Sequence, residues 1–306
     1  MENRKYHGKI ILFGEYSMIF GYKALLIPYY SAYGEWTSVI NRPSERGFDS
    51  NQSLFSFYEY LCKDDKFRIL DLRRFEMELN AGLYFDSNIP SGYGVGSSGA
   101  LVAATYDRYK LVEIENFSRL KDFLASMENC FHGSSSGNDP LQCYYGKPFI
   151  IRQQSTDNGQ QTLFTKFNDD FISEDIHIFL IDTLIKSPTA PLVEHFKELR
   201  NESNYLNKFD NEYVPLVEKC ITSLIDKNDN EFFSNLLYLS RLQTELLTHT
   251  IPDSFMKYFL TDINKEGFQV KLCGAGGGGY LLGFCKNVDK TNDFWNNFGY
   301  KIIWIK

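Results

Sequence analysis

Residues 90–100 read P-S-G-Y-G-V-G-S-S-G-A and lead directly into a segment whose apolar residues recur at helical spacing. Glycines in such a loop let backbone N–H groups approach a ligand closely, and the N–H groups at a helix start add partial positive charge. Together these features predict a cradle for phosphate groups. The sequence leaves open a plainer interpretation, a flexible loop followed by an ordinary serine N-cap.

Two well-known glycine motifs do not describe this loop. The P-loop pattern G-x-x-x-x-G-K-[ST] is absent from it. A dinucleotide-binding loop would need an acidic residue about twenty positions further on, within a βαβ unit, and this context is also missing.

A second glycine-rich segment, K-L-C-G-A-G-G-G-G-Y, occupies residues 271–280 between two predicted strands. Glycine fills five of the six positions 274–279. Such a run destabilises any regular element because glycine loses the most backbone freedom on folding. The segment therefore predicts close backbone approach to a ligand, and a long hairpin loop is the open alternative.

Two carboxylates, Glu128 and Asp139, accompany a small-residue loop at residues 132–140. A carboxylate near a phosphate can hold Mg²⁺ or accept a hydroxyl proton. Taken alone, the segment favours an Asx turn before Pro140 and a solvated glutamate. Lys9, at the predicted start of the first strand, can neutralise a phosphate or lower the pKa of a neighbouring group. Taken alone, it would be an exposed lysine.

Hydrophobic periodicity predicts an α+β chain with two mixed layers rather than an alternating βαβ chain. The predicted strands cover residues 9–13, 24–30, 33–40, 75–79, 147–152, 175–183, 268–272, 280–285 and 301–305. The predicted helices cover residues 100–112, residues 116–128 with Asn116 as N-cap, several pieces of 190–265, and a short piece between the last two strands. Residues 41–51 and 132–140 are predicted to be loops. The second domain is placed near the apolar strand at 175, which divides the chain into domains 1–170 and 171–306.

The composition limits the class of protein. Of the 306 residues, 43% are hydrophobic and 23% are charged, and the formal net charge is -7. These values are ordinary for a soluble globular protein, and the acidic excess argues against a general nucleic-acid binder. No apolar run approaches the ~20 residues that span a bilayer, so we expect neither a nucleic-acid nor a membrane partner. The six cysteines are scattered without a C-x-x-C pair, which favours reduced thiols and a cytoplasmic location.

In their order along the chain, these segments resemble the GHMP kinase superfamily. The patterns G-K-x-x-L-x-G-E, P-x-G-x-G-x-G-S-S and K-x-x-G-A-G-G-G-G begin at Gly8, Pro90 and Lys271. His132-Gly133 followed by Asp139 resembles the mevalonate kinase family in particular. The resemblance implies the two-domain α+β GHMP kinase fold. Its N-terminal ATP-binding domain would be like domain 2 of ribosomal protein S5, and its C-terminal domain would be ferredoxin-like.

The resemblance also implies the transfer of the terminal phosphoryl group of ATP to a small-molecule alcohol, with Mg²⁺ bound. The implied catalytic residues are Asp139, which would accept the hydroxyl proton, and Lys9. The implied contacts to ATP are Gly92, Gly94, Val95, Gly96, Ser97 and Ser98. The implied Mg²⁺ ligands are Ser98 and Glu128. The implied substrate contacts are Glu15, Thr189, Gly276 and Gly277.

The resemblance implies mevalonate as the substrate and isoprenoid biosynthesis as the context. Two alternatives remain open. One is another GHMP kinase, acting on phosphomevalonate or a sugar; the other is an inactive relative that binds ATP and a metabolite. A homodimeric assembly is also left open.

Overall fold

The structure is a computed structural model that describes residues 4–40, 45–156, 159–186, 189–261 and 263–305. Within these residues the helices and strands are, in chain order, β1 (Tyr6–Phe13), β2 (Ala24–Ser38), α1 (Glu45–Cys62), α2 (Leu72–Asn80), β3 (Leu83–Ser87), α3 (Ser97–Tyr109), α4 (Phe117–His132), α5 (Asn138–Tyr145), β4 (Phe149–Thr156), β5 (Gly159–Lys166), β6 (His177–Asp182), α6 (Thr189–Leu199), α7 (Ser203–Lys208), α8 (Val214–Ile225), α9 (Asp229–Leu246), α10 (Asp253–Phe259), α11 (Ile263–Glu266), β7 (Phe268–Leu272), β8 (Tyr280–Cys285), α12 (Val288–Asn297) and β9 (Ile302–Trp304). None of the helices described here combines the length and the apolar character needed to cross a lipid bilayer.

The described chain divides into two compact units. Unit 1 contains the residues up to Lys9 together with residues 28–90 and 95–146, and unit 2 contains residues 10–27, 91–94 and those from 147 onward. Each unit is a set of residues that pack together, and segments of the two units alternate along the chain. The domain boundary near residue 170, expected from the sequence, stays a prediction.

In unit 1, strand β3 pairs antiparallel with residues 34–38 of β2. Buried rings tie this pair to the helices. The centroid of the Tyr109 ring lies 4.6 Å from that of Phe75 and 6.2 Å from that of Trp36. Helix α3, which carries Tyr109, also packs against α4 and α5. Because α3 begins at Ser97, this packing fixes the end of the first glycine-rich loop.

In unit 2, a four-stranded antiparallel sheet has the order β7-β8-β6-β9. Helices α6 to α11 lie between β6 and β7 in sequence, and α12 lies between β8 and β9. The unit therefore has the β-α-β-β-α-β order of a ferredoxin-like domain, as the resemblance predicts. The glycine-rich segment 274–279 connects the neighbouring strands β7 and β8.

The other sheet has the strand order β1-β2-β4-β5, with β3 also paired to β2. In unit 2, the first residues of β2 pair antiparallel with β4, Ala24 opposite Ile151, and β4 pairs antiparallel with β5. At the end of β1, the Phe13 ring centroid lies 6.0 Å from that of Phe232 and 5.7 Å from that of Phe284. These aromatic contacts join α9 and β8 to β1 within unit 2.

Two sequence predictions before residue 80 are wrong. Alternation of apolar and polar residues predicts a strand at 75–79, but the segment belongs to helix α2. Phe75 and Leu79 are its buried residues, four positions apart on one helical face, and the Asp71 carboxylate caps the helix by accepting from the Arg74 N–H at 3.0 Å. The loop predicted at 41–51 is helical from Glu45, where α1 begins, and residues 41–44 lie outside the described residues.

Other elements also differ from those predicted from the sequence. The strands predicted at 24–30 and 33–40 are one continuous strand, β2. Strands β3 and β5 were not predicted. The loop predicted at 132–140 ends where α5 begins at Asn138, so Asp139 lies in the first turn of a helix. Pro140 is tolerated in this turn because N–H groups there have no intrahelical partner.

Candidate active site

Strand β1 brings Lys9 against the end of the first glycine-rich loop. The Lys9 N–H donates to the Val95 carbonyl at 2.9 Å. A Cβ at Gly8 would lie 2.7 Å from the same carbonyl oxygen, and a Cβ at Gly96 would lie 2.9 Å from the Lys9 Cγ. Gly96 also has a φ of +82°, a conformation that favours glycine. Glycine is therefore required at both positions for the strand and the loop to touch.

The start of helix α3 suits an anionic group. Its first residues are Ser97 and Ser98, and Gly96 stands at the N-cap without a side chain to accept from the first turn. Backbone N–H groups at this end carry partial positive charge. The helix is 13 residues long and well buried, so its start is a fixed structural element.

The Lys9 ammonium forms an ion pair with Asp139, with Nζ 3.0 Å from Oδ1. The Lys9 side chain is 4% exposed, whereas that of Asp139 is 33% exposed. Asp139 lies in the first turn of α5, where the helix dipole favours a carboxylate. A Cβ at Gly99 would lie 2.9 Å from the Asp139 carbonyl carbon, so glycine at this position lets α3 approach α5. The arrangement holds a buried cation beside a carboxylate that a substrate can reach.

A second carboxylate, Glu128 of α4, lies in the same cluster and is only 4% exposed. Its Oε1 accepts from the Ser98 hydroxyl at 2.8 Å, and its Oε2 accepts from the Ser135 hydroxyl at 2.5 Å. Burial, followed by the nearby charge of Asp139, raises the pKa of Glu128 to about 7. The two serine hydrogen bonds and the charge of Lys9 offset only part of this effect.

Two members of this cluster, His132 and Ser135, were not among the site residues predicted from the sequence. The Ser98 hydroxyl lies 2.9 Å from Nε2 of His132, and Ser135 binds the second oxygen of Glu128. His132 follows Glu128 by four residues on α4, which places both on one helical face. This spacing was a signal that the sequence contained.

The donors around Ser98 are compatible with a magnesium ion. Mg²⁺ prefers oxygen ligands, and proteins often hold it with one or two carboxylates plus substrate phosphates. Within the described ranges, no group of three or more His, Cys, Asp and Glu side chains is arranged to hold a metal ion. Glu128 and Ser98 nevertheless supply oxygen donors, and a cation would offset the unfavourable burial of the Glu128 charge.

The raised pKa of Glu128 makes a stability prediction. In the folded protein this carboxyl keeps its proton up to about pH 7, whereas its ordinary pKa is 4.5. The associated stability is fully present below pH 4.5 and is lost as the pH rises through about 7. We expect wild type to lose about 3 kcal/mol of unfolding free energy relative to Glu128→Gln across this window.

Urea unfolding of both proteins, without metal or nucleotide, measures this difference. The neutral amide of the variant keeps the shape of the side chain and removes its titration. Parallel plots of unfolding free energy against pH would contradict a raised pKa at Glu128.

In unit 2, hydrogen bonds and close packing fix the glycine-rich segment 274–279. The Gly277 N–H donates to the Thr250 carbonyl at 2.5 Å, and the Tyr16 hydroxyl donates to the Ala275 carbonyl at 2.6 Å. A Cβ at Gly276 would lie 2.3 Å from the Thr250 oxygen, and its φ is +73°. Bulk at Gly276 would therefore push the segment out of place.

Beneath this segment, Lys271 and Glu15 form an ion pair whose side chains are 0% and 1% exposed. The Lys271 ammonium also donates to the Leu272 carbonyl at 2.6 Å. Burial raises the pKa of Glu15, although the positive charge of Lys271 opposes the shift. From the sequence, Glu15 was expected to contact the substrate, and Lys271 was not identified as its partner. Its role toward a substrate stays a prediction.

The remaining predicted residues lie in or near unit 2 loops. Gly92 and Gly94 have φ of +81° and +68°, and a Cβ at either position would meet nothing within 4 Å. Their backbone is therefore open to a ligand. Thr189 is the first residue of α6, but its side chain and residues 187–188 lie outside the described part of the chain.

Comparison with known proteins identifies a family that the chain resembles. Residues 58–147 match the family model described as the GHMP kinases N terminal domain. This match includes Ser98, Glu128 and Asp139, and the fold of the chain is the two-domain α+β fold seen in GHMP kinase structures. Residues 58–147 are therefore similar to the GHMP kinases, and the whole chain shares its fold with kinase structures of low sequence identity.

The individual relatives include mevalonate kinases. The chain is 23% identical over 295 residues to the mevalonate kinase of Archaeoglobus fulgidus, covering 94% of this chain and 93% of that protein. It matches the crystal structure of L. major mevalonate kinase in complex with R-mevalonate with a TM-score of 0.68 at 17% identity, covering 98% of this chain and 91% of that one. It matches Streptococcus pneumoniae phosphomevalonate kinase with a TM-score of 0.65 at 16% identity, covering 99% and 98%.

Proposed function

We propose that this protein is an ATP-dependent kinase that phosphorylates the primary hydroxyl of mevalonate in isoprenoid biosynthesis. The observation that carries the proposal is the Lys9–Asp139 ion pair, a buried ammonium 3.0 Å from a partly exposed carboxylate. Both residues lie against helix α3 and its preceding loop. Phosphoryl transfer needs mostly positioning and charge neutralisation, and this cluster offers both.

The phosphate groups of ATP are bound by the first glycine-rich loop and the start of α3. Gly92 and Gly94 offer open backbone, and Gly96 lets the chain turn against Lys9. Val95 is held in place by its carbonyl contact to the Lys9 N–H. Ser97 and Ser98 present the first N–H groups of the helix to the anion.

Asp139 accepts the proton of the substrate hydroxyl, or orients that hydroxyl for attack on the terminal phosphoryl group. The Asp139 side chain is 33% exposed, so a substrate can reach it, and the contact with Lys9 fixes the position of its carboxylate. The Lys9 ammonium lowers the pKa of the substrate hydroxyl and meets negative charge that develops on the phosphoryl group. Removal of water from around Lys9 strengthens both effects.

Ser98 and Glu128 would hold Mg²⁺ together with phosphate oxygens. When bound, the ion neutralises phosphate charge and stabilises the leaving oxygen. Ser135 orients the Glu128 carboxylate for this contact by donating to its Oε2. On unit 2, Glu15, Thr189, Gly276 and Gly277 are proposed to contact the acceptor.

Mevalonate as the acceptor is supported by similarity to the mevalonate kinases of Archaeoglobus fulgidus and L. major. Mevalonate carries a carboxylate and a primary alcohol, so its site needs a cation besides the hydroxyl-activating groups. The structural match to a phosphomevalonate kinase supports a second acceptor as the alternative.

A coupled assay of ADP release tests the acceptor. Mevalonate, phosphomevalonate, homoserine and galactose are compared at equal concentration with ATP and Mg²⁺. We expect kcat/KM for mevalonate to exceed that for each other compound by at least about tenfold, as sites discriminate through polar contacts. A higher kcat/KM for phosphomevalonate or galactose would show that mevalonate is not the preferred substrate, and the kinase assignment would stand. ADP release that is no faster with any acceptor than without one would overturn both the mevalonate assignment and the kinase assignment.

A further inference from the structure

Tyr93 lies between the two open glycines of the phosphate loop. A Cβ at Gly92 or Gly94 would meet no atom within 4 Å, so neither glycine is held by packing around its α-carbon. Open glycine backbone suits a phosphate group but has the largest conformational freedom to lose. Something else must keep this part of the loop in one conformation if it is to bind an anion tightly.

The Tyr93 side chain makes the contacts that the glycines lack. Its ring centroid lies 4.8 Å from that of Tyr280, at an interplanar angle of 56°. The pKa of Tyr93 is raised by burial, then by the charge of the Asp182 carboxylate and by hydrogen bonding of the phenol to it. The backbone fits closely as well, because a Cβ at Gly279 would lie 3.2 Å from the Tyr93 Cα.

Strand pairing and hydrogen bonds hold in place the residues that contact Tyr93. Asp182 and Tyr280 are direct cross-strand partners at the end of the β6–β8 pair. The Gly279 N–H donates to the Ile185 carbonyl at 2.6 Å, and the Gly279 carbonyl accepts from the Thr183 hydroxyl at 2.7 Å. One ring therefore contacts two adjacent residues of a regular sheet.

We infer that Tyr93 is a positioning residue that fastens residues 92–94 of the phosphate loop to the end of the β6–β8 pair, and that it thereby sets the affinity for the nucleotide. The inference rests on the proposed function, since it assigns the loop to ATP. Without the ring, the two open glycines sample more conformations, and ATP must order them on binding. The loss of the ring should therefore weaken nucleotide binding. It should leave kcat nearly unchanged, because Tyr93 does not belong to the cluster that contains Lys9 and Asp139.

Three variants test the inference. Tyr93→Phe keeps the ring contact and removes the hydrogen bond to Asp182, whereas Tyr93→Ala removes both. Tyr238→Ala, at a tyrosine that is 57% exposed on α9, is the matched control. Calorimetry with ATP and Mg²⁺ gives Kd, steady-state kinetics gives kcat and KM, and thermal melting reports folding.

We expect Tyr93→Ala to raise Kd and KM for ATP by about tenfold, the size expected from losing an aromatic contact and a hydrogen bond to a carboxylate. Tyr93→Phe should recover part of the affinity, Tyr238→Ala should match wild type, and kcat at saturating ATP should stay within about twofold in all three. A merely structural role would lower the melting temperature without this separation of KM from kcat.

The outcomes separate the inference from the proposed function. If wild type is an active kinase and Tyr93→Ala binds ATP as tightly, the inference is wrong and the function stands. If wild type phosphorylates no acceptor while Tyr93→Ala still weakens ATP binding, the function is wrong and the positioning role stands. If Tyr93→Ala shows no folded melting transition, the ATP affinity of Tyr93→Phe is compared with wild type instead. Unchanged ATP affinity in that folded variant overturns the hydrogen-bond part of the inference.

Discussion

Replacing Asp139 with asparagine should lower kcat by about 10²- to 10⁴-fold, the usual contribution of a positioned general base. Asparagine has nearly the same shape but cannot accept the hydroxyl proton in the same way, and it loses the ion pair with Lys9. Because Asp139 is proposed to act on the reacting hydroxyl, KM for ATP should change little. Steady-state kinetics at saturating ATP measures both parameters.

The matched control is Asp169→Asn, which removes a surface carboxylate that forms an ion pair with Lys147 at 2.7 Å. Both side chains of that pair are about half exposed, and we expect near-native kinetics from the variant. Asp139→Asn with a native melting temperature and a native kcat would remove Asp139 from the catalytic machinery.

The second large effect is expected on stability, from Lys271→Met. Methionine would leave the Glu15 carboxylate charged and uncompensated in a site where its side chain is 1% exposed. Breaking a buried ion pair from one side lowers the unfolding free energy by about 3–5 kcal/mol. The loss should shrink as the pH falls, because the pKa of Glu15 is already raised by burial and protonation removes the buried charge.

A double variant, Glu15→Gln with Lys271→Met, should recover most of this stability, because no buried charge remains. Lys286→Met, at an exposed lysine just after β8, is the control and should change stability by less than about 0.5 kcal/mol. Urea unfolding at several pH values measures all four proteins. Equal stability of Lys271→Met and wild type near neutral pH would contradict the importance of this buried pair.

Local chemistry predicted the first glycine-rich loop and helix α3, because glycines and a helix start have direct physical signatures. The resemblance to the GHMP kinases selected Lys9, Ser98, Glu128 and Asp139, which the structure brings together in unit 1. Each of these residues alone favoured a plainer interpretation. Their order along the chain and their resemblance to a family, rather than any single residue, supported the prediction.

Other features depend on tertiary contacts that a single sequence does not display. Lys271 and Glu15 are 256 residues apart, and nothing in their local patterns names the other as a partner. The segment containing Phe75 and Leu79 is compatible with both strand and helix periods over five residues, and its burial against the rest of unit 1 selects the helix. Tyr93 was read only as part of a loop, since its contact with Tyr280 requires the folded sheet.

The most direct test of the proposed chemistry follows the phosphoryl group itself. Wild-type protein is incubated with ATP, Mg²⁺ and mevalonate, and ³¹P NMR records the nucleotide and the acceptor together. We predict that the γ-phosphate signal of ATP decays at the rate at which a phosphomonoester of mevalonate appears. ATP that persists unchanged under these conditions, or that yields only free phosphate, would contradict phosphoryl transfer to this alcohol.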